Sequence, residues 1–244
     1  DLHRPRHSFP TRRSSDLKQN HQSWLDEFHQ AKENELQVLS KNRNNDFADQ
    51  IRMDLVIDLL SQKTNGNAVI VTDVGQHQMM AAQFYQYNQT KSNVTSGGLG
   101  TMGFALPAAK EAKMANPGKQ VIAIIGDGGF QMTLQELGTI MQNNIGVKII
   151  ILNNEYLGMV RQWQQMFFEK RYSFTNIQSP DFVALAASYN IKGVKVEKQE
   201  DLSNALDQLL NTENAFLLEV KVAKEDNVFP MVPTGASVAE IRLQ

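Results

Sequence analysis

Short, wholly apolar segments alternate with amphipathic segments from residue 68 onward. The apolar segments predict strands at residues 68–72, 121–125, 147–152, 193–197 and 216–222. The segments between them predict helices at residues 77–87, 103–115, 133–143, 156–168, 180–189 and 201–210. Because wholly apolar strands in such an alternation are covered on both faces, the pattern predicts an α/β fold. We expect a doubly wound, mostly parallel sheet of about six strands, with helices on both faces and a ligand site beyond the carboxyl ends of the strands.

Two local patterns predict where helices begin. Thr133 followed three residues later by Glu136 is typical of a capping box, which would place a helix start at Thr133. Ser179 followed by Pro180 is typical of an N-cap residue and the first helical position.

The composition excludes several functional classes. The chain has a net charge of −2, so it lacks the basic surface that nucleic acids or anionic membranes attract. It contains no cysteine, which excludes disulfides, thiolate zinc sites and cysteine nucleophiles and is typical of a reducing compartment. No apolar run approaches the roughly 20 residues that span a bilayer. We expect a cytoplasmic protein whose partners are small molecules or other proteins.

The amino-terminal residues differ in character from the rest. Residues 1–17 contain four arginines, two aspartates and two prolines without apolar periodicity, and residues 9–17 resemble the translation of a sequencing-library adapter. We therefore expect residues 1–17 to be a non-native artefact fused to a truncated reading frame. Residues 18–50 predict a helical linker, and residues 51–244 predict one domain with a C-terminal arm. The linker's apolar residues recur at helical spacing at Trp24, Leu25, Phe28, Leu36 and Leu39.

A first glycine motif, residues 98–103, matches the GxGxxG spacing. A helix is predicted after it, and Asp127 follows a little over 20 residues later, as in a dinucleotide-binding fingerprint. That fingerprint requires an apolar strand immediately before the first glycine, whereas residues 91–96 make a poor strand. The motif is more typical of a glycine turn that opens a helix, and nicotinamide binding remains the alternative.

A second motif joins two neighbouring strands. Asp127 comes directly after one predicted strand and Asn154 directly after the next, with a crossover helix between them. Such a right-handed βαβ unit places its two strands close together, so the two side chains can converge. One carboxylate and one amide oxygen, completed by substrate phosphates, are typical of a Mg²⁺ site. Gly128 and Gly129 would let a diphosphate approach the next helix. The alternative is that all four are turn residues.

Residues 49–244 resemble the catalytic (large) subunit of the acetolactate synthase family, also called acetohydroxyacid synthase. The resemblance is carried by TDVGQHQM from Thr72, SGGLGTMGFALPAA from Ser96, GDGGFQMTLQEL from Gly126, LNNEYLGMVRQWQ from Leu152 and VFPMVPTGAS from Val228. The second motif is similar to the thiamine diphosphate motif of this family. The first four segments also fit other thiamine-dependent decarboxylases and carboligases, whereas the last two together favour this family.

The resemblance implies a thiamine diphosphate-binding fold and a set of site residues. For Mg²⁺ it implies the side chains of Asp127 and Asn154 and the backbone carbonyl of Tyr156. Diphosphate contacts are implied for Gly75, Gln76, His77, Gly128, Gly129, Gly158 and Met159. Gly100 and Met102 would contact the aminopyrimidine, with Met102 bending the cofactor, which reassigns the first glycine motif. His77, which on its own is more typical of a solvated helix start, becomes a cofactor neighbour.

The resemblance also implies the reaction. A transferase of this family decarboxylates pyruvate and joins the remainder to a second 2-oxo acid, giving 2-acetolactate or 2-aceto-2-hydroxybutanoate for the synthesis of valine, leucine and isoleucine. Trp163 would favour 2-oxobutanoate as acceptor. The catalytic glutamate and an FAD-binding domain would lie upstream, so no catalytic residue is expected here and the chain alone would be inactive. A homo-oligomer (a dimer or tetramer) and a regulatory small subunit are further expectations. Another thiamine diphosphate-dependent lyase or carboligase, such as a glyoxylate carboligase, and a non-catalytic cofactor-binding module remain alternatives.

The sequence departs from the family pattern at two places. Met80 replaces the usual Trp after GQHQM, which we expect the core to tolerate. Lys110 and Glu111 stand where the family has an apolar residue and a glycine within a packed helix. A buried, unpaired lysine is costly, so we expect a local packing fault or a sequencing error at Lys110.

Overall fold

The structure is a computed structural model that describes residues 21–43, 50–233 and 235–242. Contacts divide the chain into two units, residues 1–46 and residues 47–242. The predicted artefact, residues 1–17, lies outside the described residues. In the first unit, helix α1 (Gln22–Arg43) occupies most of the predicted linker. Its apolar side chains are exposed at Trp24, Leu25, Phe28 and Leu36.

The second unit is built on a six-stranded sheet in which every pair of neighbouring strands is parallel. The strands are β1 (Val69–Thr72), β2 (Asn93–Thr95), β3 (Val121–Gly126), β4 (Lys148–Asn153), β5 (Lys192–Val196) and β6 (Phe216–Lys221). Their order across the sheet is β2-β1-β3-β4-β6-β5. The predicted α/β class, the parallel sheet and the number of strands are confirmed.

Helices cover both faces of this sheet. They are α2 (Met53–Thr64), α3 (Gln76–Phe84), α4 (Ala105–Ala115), α5 (Asp127–Thr133), α6 (Glu136–Gln142), α7 (Gly158–Phe167), α8 (Phe182–Ser188) and α9 (Gln199–Asn211). Because side chains alternate along a strand, Ile122 and Ile124 of β3 pack with α2, α3 and α9, whereas Ala123 and Ile125 pack with α4, α5, α6 and α8. The two cores explain why the central strands β1, β3 and β4 are predominantly apolar on both faces. None of the helices in the described residues is long and apolar enough to cross a membrane.

Strand β2 and helix α2 are among the elements that the sequence pattern did not predict. Strand β2 lies within the segment that we took for a poor strand, and it pairs with β1 in the register Val71↔Val94. It is a short edge strand with polar, exposed ends, so it lacks the apolar signal that marks the buried strands. Helix α2 was not predicted either, and no helix or strand was expected between the linker and β1.

The predicted helix starts at Thr133 and Ser179 are wrong. The helix expected at residues 133–143 corresponds to α6 alone, which Gln135 precedes without a side-chain cap, and Thr133 is the last residue of the separate helix α5. The hydroxyl of Thr133 donates to the carbonyl oxygen of Gly103 at 3.0 Å. Helix α8 is capped by Asp181, whose Oδ1 accepts from the backbone N–H of Ala184. In both cases a tertiary contact or a competing cap outweighs the local pattern.

Lys110 has a partner that the sequence did not suggest. Its Nζ donates to Oε2 of Glu136 on α6 at 2.7 Å and lies 3.3 Å from Oε1 of Glu111. The lysine side chain is 12% exposed and that of Glu136 is 24% exposed. The hydrogen bond to Glu136 raises the pKa of Lys110, which outweighs the effect of burial. The expectation of a buried, unpaired lysine is therefore wrong.

This ion pair gives a first prediction. Glu136→Gln should lower the free energy of unfolding by about 1 kcal/mol, because it removes the closer and less exposed of the two carboxylates that pair with Lys110. In a Lys110→Met background the same change should cost almost nothing. Urea unfolding of the parent chain, the two single variants and the double variant, at low and high salt, measures the cost of Glu136→Gln in both backgrounds. Glu111→Gln is the control, since that carboxylate is 66% exposed, and equal losses at positions 111 and 136 would contradict the assignment.

Candidate functional site

A cavity of about 290 Å³ lies at the carboxyl ends of strands β1, β3 and β4. It is lined by all twelve residues that the sequence predicted for the cofactor and the metal, namely Gly75, Gln76, His77, Gly100, Met102, Asp127, Gly128, Gly129, Asn154, Tyr156, Gly158 and Met159. Trp163 does not line it. That residue is half-buried on α7 and its ring packs on Phe167 at 5.2 Å between centroids. The structure thus brings together the predicted residues from four segments of the chain, apart from Trp163.

Asp127 and Asn154 stand next to each other in the fold because β3 and β4 are paired, with Gly126 opposite Leu152. Both side chains are buried. Oδ2 of Asp127 accepts from the hydroxyl of Ser179 at 3.3 Å, and Oδ1 of Asn154 accepts from the backbone N–H of Tyr156 at 3.1 Å. Burial raises the pKa of Asp127 to about 6, which indicates that its charge lacks full compensation.

The donors available for a metal are therefore one carboxylate, one amide oxygen and backbone carbonyls. Within the described residues, no cluster of three or more His, Cys, Asp or Glu side chains could hold a metal ion. A site made from hard oxygen donors and a single carboxylate is typical of Mg²⁺ that also binds phosphate oxygens, rather than of zinc.

Three helices begin at the cavity. Helices α3, α5 and α7 start at Gln76, Asp127 and Gly158, and none has a side-chain cap on its first turn. The residues that precede these helices therefore supply no side-chain acceptor to the first backbone N–H groups, and the positive ends of the helix dipoles lie beside the cavity. This arrangement favours an anionic ligand such as a diphosphate.

Glycines keep the walls of the cavity close together. A Cβ atom at Gly126 would lie 3.1 Å from the ring of His77, and one at Gly158 would lie 2.1 Å from Oε1 of Gln76. A Cβ atom at Gly128 would lie 3.0 Å from Cδ2 of Leu157. Side chains at these positions would displace the residues that line the cavity, so the glycines allow the backbone to approach a ligand.

His77 is buried and lacks a hydrogen-bond partner for its Nε2 atom. Burial lowers its pKa to about 4, so the imidazole is neutral at pH 7. An unpaired buried nitrogen is costly unless a ligand or water satisfies it. His77 lies at the cavity wall, with Cε1 and Nδ1 of its ring facing Gly75 and Gly126.

Asp73 is a functional residue that sequence reasoning missed. It directly follows β1, is fully buried, and accepts from the backbone N–H groups of Gly103 and Phe104 at 3.1 and 3.0 Å. Burial raises its pKa, against those hydrogen bonds. The carboxylate thus fixes the glycine turn that carries Gly100 and Met102. A polar residue directly after an apolar strand was the signal that could have identified it.

A second omission is a row of buried amide side chains that runs from Asn154 to Gln162. Nδ2 of Asn154 donates to Oε1 of Gln76 at 3.2 Å, and Nε2 of Gln76 donates to Oε1 of Gln162 at 3.0 Å. Gln162 lies on α7 and is fully buried, although a Gln on an amphipathic helix gives no sequence signal of burial.

Comparison with known proteins agrees with this geometry. Residues 73–220 match the family described as thiamine pyrophosphate enzyme, C-terminal TPP binding domain, TPP being thiamine diphosphate. The acetolactate synthase isozyme 2 large subunit of Escherichia coli (strain K12) is 45% identical over 194 residues, or 79% of this chain and 35% of that protein. The acetolactate synthase large subunit of Lactococcus lactis is 47% identical over 76% of this chain and 32% of its own length.

The mitochondrial acetolactate synthase of Schizosaccharomyces pombe is 49% identical over 77% of this chain and 29% of its own length. The chain thus spans about a third of the length of these curated relatives. The first glycine motif falls inside the matched family domain, which does not support a nicotinamide site. With the family match extending over both glycine motifs and most of the sheet, the chain belongs to the thiamine pyrophosphate enzyme family, of which it carries the C-terminal TPP-binding domain.

Proposed function

We propose that the cavity binds thiamine diphosphate together with Mg²⁺. The observation that carries the proposal is the convergence of three uncapped helix starts on the cavity that Asp127 and Asn154 line. In this proposal the side chains of Asp127 and Asn154 and the carbonyl of Tyr156 hold the metal. The diphosphate is bound by backbone at residues 75–77, 128–129 and 158–159, and Gly100 and Met102 contact the aminopyrimidine.

The residues present fit such a ligand. The unpaired Nε2 of His77 and the incompletely compensated carboxylate of Asp127 are buried polar groups that a phosphate oxygen and a cation would satisfy. Thiamine diphosphate supplies a nucleophilic carbanion for additions to 2-oxo acids. The chain's own residues would position the diphosphate and its metal, exclude water through the apolar wall at Met79, Leu152 and Leu157, and fix the glycine turn through Asp73.

For the whole protein we propose acetolactate synthase activity, as a transferase. The support is the identity to large subunits of that name over three quarters or more of this chain. The reaction would decarboxylate pyruvate and join the remainder to a second pyruvate or to 2-oxobutanoate, in the synthesis of branched-chain amino acids. Trp163 is our candidate for acceptor choice, and because it does not line the cavity it would act outside the cofactor pocket. FAD, an activating glutamate, a homo-oligomer and a small subunit are proposals for the longer protein.

Calorimetric titration of the chain with thiamine diphosphate tests the cofactor proposal. We expect saturable binding in Mg²⁺, its loss in EDTA, and its recovery when Mg²⁺ is returned. Trp163→Leu is the control and should bind the cofactor as the parent chain does, because Trp163 does not line the cavity. Binding of equal strength in EDTA would overturn the metal assignment, and no binding in Mg²⁺ would overturn the proposed function. Activity assays require the longer protein, in which a Trp163→Leu variant with unchanged acceptor preference would remove the role proposed for Trp163.

A further inference from the structure

The row of amides that runs from Asn154 to Gln162 continues to the backbone of the C-terminal segment. Nε2 of Gln162 donates to the carbonyl oxygen of Val228 at 2.9 Å, and the backbone N–H of Val228 donates to Oε1 of Gln162 at 2.9 Å. Nε2 of Gln76 donates to the carbonyl oxygen of Asp226 at 3.1 Å. Water does not compete for these hydrogen bonds, because the five residues that make them are all buried, namely Gln76, Asn154, Gln162, Asp226 and Val228.

The backbone partners determine which way each amide faces. A backbone N–H can only donate and a backbone carbonyl can only accept, so the two bonds to Val228 place Oε1 and Nε2 of Gln162 in one orientation. Gln162 therefore presents an acceptor to Gln76, and the carbonyl of Asp226 requires a donor from the same Gln76 amide. Gln76 is left with its oxygen facing Asn154, and this favours the same orientation of the Asn154 amide as the backbone N–H of Tyr156 does, with the NH₂ group toward Gln76.

The consequence reaches the proposed metal site. With Nδ2 held by Gln76, Asn154 has Oδ1 on the opposite side of its amide, where it accepts from Tyr156 N–H and keeps a lone pair. A metal ion binds the oxygen of an asparagine and not its NH₂ group. A rotated amide at Asn154 would remove one of the two side-chain ligands.

We propose that Gln162 is a positioning residue that, through Gln76, holds Asn154 in its metal-binding orientation and couples the metal site to residues 226–228. The inference rests on the proposed function, because it concerns the Mg²⁺ and thiamine diphosphate of that proposal. Gln162 itself does not line the cavity, and its hydrogen bonds go to Gln76, Val228 and two methionine sulfurs rather than to Asn154 or Asp127. Its effect on the metal is transmitted by two hydrogen bonds, from Asn154 to Gln76 and from Gln76 to Gln162. The network also joins segments far apart in the chain, so a change in metal occupancy should be detectable at Val228.

Gln164 provides a matched control on the same helix. Its Nε2 donates to the carbonyl oxygen of Ser173 at 3.1 Å, and the N–H of Ser173 donates to its Oε1 at 2.9 Å. The side chain of Gln164 thus makes the same two-bond backbone contact as Gln162, but it has no bond to Gln76. Replacing either residue by Met removes one such contact from α7 while keeping the length of the side chain.

The first measurement is the Mg²⁺ affinity of the full chain in saturating thiamine diphosphate. Gln162→Met should weaken it by about 10-fold, the lower end of the effect of losing an outer-shell partner of a metal ligand, because Gln162 acts on Asn154 only through Gln76, whereas Gln164→Met should stay within about twofold. Thermal unfolding of both metal-free variants shows that each is folded. Equal metal affinity for Gln162→Met and the parent chain overturns the inference. Failure of the parent chain to bind the cofactor instead overturns the proposed function, so the two failures are distinct.

A second measurement needs no variant. Amide hydrogen exchange at Val228 and at Ser173 is compared before and after adding Mg²⁺ and thiamine diphosphate to the parent chain. By reciprocity, a metal that is favoured by the amide network must in turn stabilise the network, so exchange at Val228 should slow by at least about fivefold. Exchange at the Ser173 amide should slow by less than half of the factor found at Val228. Equal changes at both amides, or no change at Val228, contradict the coupling.

Discussion

Asp127→Asn should abolish Mg²⁺-dependent binding of thiamine diphosphate and, in the metal-free protein, should raise the stability of the fold. The two effects have one origin, which is a carboxylate buried among groups that do not fully compensate its charge. Its pKa of about 6 in the folded chain lies above the ordinary 3.8. The folded state therefore binds the extra proton between these values, and the stability of the metal-free protein falls as pH rises through that window. At pH 7 the buried charge of Asp127 therefore lowers the free energy of unfolding by about 3 kcal/mol, which is the energy that corresponds to this pKa difference.

An asparagine at position 127 removes this cost but supplies a weaker metal ligand. In EDTA at pH 7 we expect the Asp127→Asn variant to unfold at a higher temperature than the parent chain, with the difference vanishing near pH 4. In Mg²⁺ and thiamine diphosphate the order should reverse, because only the parent chain gains the stabilisation of bound ligands. Asp58→Asn, which changes a carboxylate away from the cavity on α2, is the control and should show no reversal. A variant that still binds the cofactor in a Mg²⁺-dependent way would remove Asp127 from the metal site.

The features that the sequence predicted well are those set by local chemistry. Wholly apolar strands such as residues 121–125 can be buried only in a covered sheet, and a parallel sheet places every loop that follows a strand at one edge. The closeness of Asp127 and Asn154 could therefore be predicted from the pattern alone, since each directly follows a strand of the same βαβ unit. The glycines at residues 128–129 were predicted on the same grounds.

The features that the sequence missed depend on contacts between distant residues. Ser179 has a good N-cap pattern, but its hydroxyl donates to Asp127, and Asp181 caps α8 instead. Lys110 and Glu136 pair across two helices, so neither residue alone indicated the other. Gln162 is one of several glutamines on α7, and only the packing of residues 226–228 distinguishes it from Gln164. In each case the neighbouring residues in the sequence look the same with or without the distant partner, so they cannot predict the contact.

Gly129→Ala should destabilise the domain strongly, and the reason lies in Asp73. A Cβ atom at Gly129 would lie 1.9 Å from Oδ2 of Asp73, and that carboxylate cannot move away while it accepts from Gly103 and Phe104. The α5 backbone or the glycine turn must shift instead, which we expect to cost about 3 kcal/mol. The shift should also weaken cofactor binding, because both segments line the cavity.

Asp73→Ala alone should cost about 2–4 kcal/mol, since it leaves the buried N–H of Gly103 and the partly buried N–H of Phe104 without acceptors. In that background the Gly129→Ala change no longer meets a carboxylate. An alanine within α5 should then be neutral or favourable by about 0.5–1 kcal/mol, because glycine loses more backbone entropy in a helix. The same substitution is thus expected to change sign between the two backgrounds.

A double-mutant cycle measured by denaturant unfolding tests this directly. The coupling between the two positions should reach about 3 kcal/mol, well above the few tenths found for independent sites. Gly138→Ala on α6 is the control, since a Cβ atom there would lie 3.8 Å from the ring of Tyr189, an ordinary contact, and it should be additive with Asp73→Ala. If the losses at Asp73 and Gly129 simply add, then Gly129 is required for some reason other than its closeness to Asp73, and Asp73 does not hold the two glycine segments together.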